Sequence, residues 1–220
     1  MKILFVGLSR AIWLFETSQL NPTGLSLQPV IEKLTEKYKF SKAPKNPLDY
    51  DEQKTLAFKG GTFTNSKGVP VMITFLIYSD GLVADTTSNT NDSGEFLSQV
   101  TGWLTTEFGL LPPPEIRKAY VNQMDVECST ELIQVNPKLK SFLDSVESRV
   151  KSADGKARRF ELGGLSFWTE DITKPGAPAA IKFERKFNAP WSANHYFSQA
   201  PLETNAHLEL LNELEALLKA

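Results

Sequence analysis

Residues 69–88 read VPVMITFLIYSDGLVADTTS, and the fold is reasoned outward from them. Val71, Ile73, Phe75 and Ile77 alternate along one face of an extended chain, while Met72, Leu76 and Tyr78 occupy the other. An apolar surface on both sides predicts a central strand covered twice. Asp80-Gly81 is the dipeptide that a type I′ turn favours, because both of its central residues need positive φ. Leu82-Val83-Ala84 then starts the returning strand. After a polar run, Asp92 and Glu95 stand in capping-box relation ahead of a helix whose stripe is Phe96, Leu97, Val100, Trp103, Leu104 and Phe108. Gly109 suits its C-terminal cap.

The rest of the chain arranges itself around this hairpin and helix. Residues 2–7 and 11–17 read as extended. Leu27, Val30, Ile31, Leu34 and Tyr38 recur at helical spacing behind a cap at Ser26. Lys42 to Lys54 is a polar, proline-broken loop. Gly60-Gly61 inside the strand Thr55 to Thr64 predicts a bulge or the close approach of another backbone. Pro112-Pro113-Pro114 is a stiff spacer and the one candidate internal boundary. Beyond it come a half-buried strand, Tyr120 to Cys128, and a helix started by Asn136-Pro137 with the stripe Leu139, Phe142, Leu143, Val146 and Val150. Two strands follow, Arg159 to Thr169 and Ala179 to Phe187, then an irregular aromatic stretch from Trp191 to Pro201. A leucine-rich helix after Thr204 closes the chain. Short hairpins alternating with helices predict one α+β domain over residues 1–220, a mostly antiparallel sheet of six or seven strands with helices against it.

Composition narrows the function. The 220 residues carry 24 Lys and Arg against 26 Asp and Glu, a net charge of −2. Near-neutrality gives no electrostatic footprint for nucleic acid, which clustered cations would supply. A single cysteine, Cys128, excludes an internal disulfide, and with only His195 and His207 beside it no ordinary zinc site can be assembled. These counts fit a reducing cytoplasm. No stretch reaches the roughly 20 apolar residues of a membrane span. Neither a phosphate loop nor a nucleophile elbow is present, and no cofactor is implied.

Two groups of residues remain as candidates. On the strand ending at Phe187, Glu184 and Lys186 lie two apart and share a side. With Asp171 or Asp125 they could hold a magnesium ion and orient water, the chemistry of a metal-dependent nuclease or phosphodiesterase. Against this, Glu184 and Lys186 oppose Ile181 and Phe183, as an ordinary solvated face would. The second group is Trp191, His195, Tyr196 and Phe197. So aromatic a segment is either an interaction surface or a plug between sheet and terminal helix. His207, in the first turn of that helix, reads as a surface residue. The balance favours a non-enzymatic, protein-binding or self-associating subunit of a cytoplasmic assembly.

Overall fold

A computed structural model describes residues 1–45, 55–113, 115–171, 173–174 and 176–219. Most of the loop read at Lys42 to Lys54, and Pro114 of the proline run, lie outside the described residues. The fold is α+β: among the described residues, an eight-stranded sheet with four α-helices, slightly more strands than the sequence suggested. Among the described residues no helix is long and apolar enough to cross a membrane.

The chain forms two compact units. Unit A comprises Val6–Gln123 and Pro201–Thr204; unit B comprises Met1–Phe5, Met124–Ala200 and Asn205–Ala220. The elements in chain order are β1 (Lys2–Leu14), α1 (Gln28–Tyr38), β2 (Leu56–Thr64), β3 (Pro70–Tyr78), β4 (Gly81–Thr86), α2 (Thr90–Phe108), β5 (Arg117–Glu127), α3 (Leu139–Asp154), β6 (Gly164–Phe167), β7 (Ile181–Arg185), β8 (His195–Ala200) and α4 (Thr204–Lys219).

In unit A, β2, β3, β4 and β1 pair in that order, all antiparallel. Phe75 sits opposite Phe58 on one side and Ala84 on the other, so three strands present one apolar layer. Onto it pack Ile31, Leu34 and Tyr38 of α1 and Phe96, Leu97 and Val100 of α2. Phe96 is the hub, meeting Tyr38, Phe63 and Phe75 edge to face at 5.0–5.4 Å.

The covered face of β3 is the one that carries Val71, Ile73 and Phe75. Its other face is open, with Met72 69% exposed, which corrects the reading of a strand covered twice. Both α1 and α2 contribute to the one apolar cluster on the first face. The turn is also corrected: neither Asp80 nor Gly81 has positive φ, so it is not type I′. Glycine is needed at 81 for a different reason, since a Cβ there would lie 2.3 Å from the carbonyl oxygen of Trp13 on the paired strand β1. The glycine pair in β2 forms the expected bulge, and what comes close to it is side chain rather than another backbone. Gly60 takes φ 66° in a bulge between Phe58 and Gly61, and a Cβ on Gly61 would strike the Phe40 ring.

Helix α2 is capped by Asn89, whose Oδ1 accepts from the Asp92 amide at 2.8 Å. Asp92 and Glu95 do not close a capping box. They accept hydrogen bonds from Asn65 and Ser66 at 3.0 Å and so tie the helix to the β2–β3 loop. Gly109 ends the helix at φ 68°, as read.

In unit B, β8, β7 and β6 pair antiparallel over a second cluster of Met124, Val126, Cys128, Phe183, Tyr196, Leu211 and Leu218. The strand expected over Arg159 to Thr169 shrinks to Gly164–Phe167. The stretch read as irregular contains β8, where Tyr196, Ser198 and Ala200 alternate inward.

Among the described residues each unit has the same order of strand, short 3-10 turn (Thr17–Leu20, then Leu132–Val135), helix, three strands and helix, with a further 3-10 turn, Trp191–Ala193, before the last strand of unit B. β4 and α2 start at 81 and 90, β8 and α4 at 195 and 204, a spacing of 114 in both cases. Thr90 and Thr204, the first residues of the two matching helices, cap each other. Each backbone N–H donates to the other's Oγ1 at 2.9 Å. Around them lies a buried polar network. The Asn122 amide donates to Ser9 Oγ at 3.0 Å and Thr204 Oγ1 at 3.2 Å, and the Ser93 hydroxyl donates to the Ser9 carbonyl at 2.7 Å.

Candidate functional site

The strand β7 places Glu184 beside Phe197 and Gly164, on the side away from Phe183 and the unit B cluster. Lys186 follows directly, and its ammonium pairs with Asp125 of β5. Two residues of the nuclease candidate therefore do meet, but as a mutually neutralising ion pair. Asp171 lies in the turn after β6 and pairs with Lys174 at 2.5 Å, both exposed. Among the described residues no group of three His, Cys, Asp or Glu could hold a metal ion.

The aromatic group divides along the alternation of β8. Tyr196 is buried and stacks on Phe183 at 4.4 Å between ring centroids. Burial raises its hydroxyl pKa. His195 and Phe197 point the other way and are half-buried. Trp191, on the 3-10 turn before β8, is 42% exposed. The Arg185 guanidinium lies over both Trp191 and Tyr196 at 5.3 and 5.4 Å, and it donates to the Trp191 carbonyl at 3.0 Å. Core plug and surface each describe part of the segment.

His207 is fully buried rather than on the surface. Its Nε2 is 2.8 Å from the Ser198 hydroxyl, which also donates to the Lys182 carbonyl at 3.0 Å. Burial pulls the imidazole down to about 4, so it is neutral at physiological pH. A serine and a neutral imidazole are in contact, but sealed from solvent they offer a substrate no approach.

The largest departure from the sequence reading is α3. An apolar stripe is expected to lie against the sheet, yet the helix buries no residue, and Phe142 is 63% exposed. Leu139, Leu143, Val146 and Val150 are only half-covered. Nearby in the chain Phe167, Trp168 and Phe187 are exposed as well. A 3.6-residue period records that a face is apolar and says nothing of what covers it, so no local signal could have marked this helix.

No protein-family model matches the chain, and no curated protein matches it. Among solved structures it is similar to Methanococcus jannaschii TBP, with a TM-score of 0.45 and 10% sequence identity over 99% of this chain and 97% of that one. Nothing about the activity of this chain follows from so distant a likeness.

Proposed function

We propose that the protein is a non-enzymatic, protein-binding subunit, and that its partner protein covers the apolar stripe of α3. The observation behind this is the helix itself: an amphipathic stripe of five large side chains with none buried. An apolar stripe left half-covered along a whole helix is rare on a protein that works alone, and its one exposed ring, Phe142, is an aromatic anchor of the kind that dominates binding energy. The net charge of −2 favours a protein over a nucleic acid as the partner, and the single, buried Cys128 is in keeping with a cytoplasmic site of action.

A metal-dependent nuclease or phosphodiesterase built on Glu184, Lys186 and Asp171 or Asp125 has less support. Lys186 is engaged with Asp125, and Asp171 with Lys174.

Affinity purification from the native host is the test. Wild type is expected to carry a stoichiometric partner that Phe142→Glu and Val146→Glu both lose, while circular dichroism and melting temperature stay unchanged. A second copy of this chain as the only companion would make the assembly a homo-oligomer. A wild type that runs as a bare monomer overturns the proposal. The nuclease returns if Mg²⁺ or Mn²⁺ raises the melting temperature and Glu184→Ala abolishes the rise.

A further inference from the structure

Unit A contains a cavity of about 500 Å³ beneath α1. Ile31 and Leu34 of α1, Phe58, Phe75 and Leu82 of the sheet and Leu104 of α2 form its floor, all of them buried. At its mouth the chemistry changes. Leu27 and Val30 are half-exposed there, beside the exposed Glu16, Ser18 and Ser79.

The size lies within the roughly 300–1,000 Å³ of small-molecule sites, and so does the balance of an apolar wall with a few polar groups at one end. Water is a poor occupant of the floor, because a water molecule needs two to four polar partners and the floor side chains provide none. An apolar floor in contact with water forgoes the dispersion contacts that a close-packed neighbour would give. An apolar guest restores those contacts and releases water, and this is the gain that binding would draw on.

We propose that this cavity binds a neutral amphiphile: an alkyl or similarly apolar body on the floor, with a hydroxyl head among Ser18, Ser79 and Glu16. The head assignment comes from charge. Among the described residues of the wall Glu16 is the one with an ionisable side chain, and a carboxylate head beside it would meet like charge. A hydroxyl can donate to that same carboxylate and exchange hydrogen bonds with the two serines. The site lies wholly in unit A and does not depend on the α3 surface of unit B.

Thermal melts and calorimetric titrations of the full chain with 1-octanol and with octanoate test it. Short alcohols ordinarily lower melting temperatures, so a rise with 1-octanol is diagnostic. The expected result is saturable binding of 1-octanol with a raised melting temperature, and binding of octanoate at least tenfold weaker. Val30→Trp, placing an indole at the mouth, should weaken 1-octanol binding tenfold or more while the chain stays folded. Phe142→Glu should leave that binding unchanged, which keeps this outcome separate from the fate of the α3 proposal. Absence of binding by wild type overturns the inference. So does equal binding by Val30→Trp, since the compound would then sit elsewhere. Octanoate binding as tightly as the alcohol overturns the assignment of a neutral head.

Discussion

Units A and B use one element order and reach opposite outcomes for the helix that follows the first strand. In unit A, α1 buries Ile31, Leu34 and Tyr38; in unit B, α3 buries nothing. The strands account for the difference. β2 and β3 are nine residues each, enough to give three inward side chains apiece, such as Val71, Ile73 and Phe75. β6 and β7 have four and five residues, and between them only Phe183 is buried. A long strand pair makes a platform that can hold a helix; a short pair leaves the helix's apolar side uncovered. The cavities follow suit. Unit B has one of about 270 Å³ beside α3, but Lys140, Asp144, Glu147 and Arg159 line it, whereas among the described residues lining the unit A cavity Glu16 is the one that is charged. Identical topology therefore turns its apolar surface inward in one unit and outward in the other.

The sharpest way to break this contrast is to remove one phenylalanine from each unit. Phe96→Ala takes out the hub of the unit A core and should cost about 3–5 kcal/mol. Phe142→Ala removes an exposed ring from α3 and should stay within about 0.5 kcal/mol of wild type. Urea denaturation of both variants decides. A loss of about 2 kcal/mol or more at Phe142 would mean that α3 is covered in the monomer, and the contrast between units would fall.

What the sequence made legible follows the same division. The alternation in residues 69–88 and the stripe of α2 were readable because a period of 2 or 3.6 is local, and both elements stand where they were expected. The glycines of β2 were readable because one form of bulge takes a glycine at positive φ, here Gly60. The role of Gly81 was not readable, because its cause is the Trp13 carbonyl on another strand. His207 was misread for a similar reason. Its burial against Ser198 depends on β8, and that strand was hidden in a stretch whose proline and aromatic residues suggested irregular chain. The repeat escaped notice because matching positions have diverged: Thr90 pairs with Thr204, but three residues on, Ser93 corresponds to His207.

That last substitution gives unit B a pH dependence that its counterpart position lacks. In the folded chain His207 accepts a proton only near pH 4, whereas in the unfolded chain it does so near 6.5. Between those values the unfolded state binds more protons, so stability is lost as pH falls from about 6.5 to about 4. The loss should total on the order of 3 kcal/mol. Denaturation series from pH 7 to 4, with wild type and His207→Gln, would measure it. If the two lose stability in parallel, other groups govern the acid limb and His207 is not sealed from solvent.

A smaller effect concerns the pair where the two helices begin alike. Thr90 and Thr204 each satisfy the amide that starts the other's helix, in place of a cap from the preceding residue alone. Thr90→Val or Thr204→Val removes one hydroxyl and leaves one buried backbone N–H without its acceptor, and Thr204→Val also takes one acceptor from Asn122, at a cost of about 1–2 kcal/mol each. The two bonds use different donors and acceptors, but the two acceptor hydroxyls also touch each other, so the costs should not add. With both hydroxyls gone, each valine still leaves one amide orphaned, but the 3.3 Å contact between the hydroxyls has already been lost in either single variant. The double variant should thus fall short of the sum by about 0.5 kcal/mol or more in a double-mutant cycle. Strict additivity would show that the two caps act independently, and that the resemblance between the starts of α2 and α4 is one of position alone.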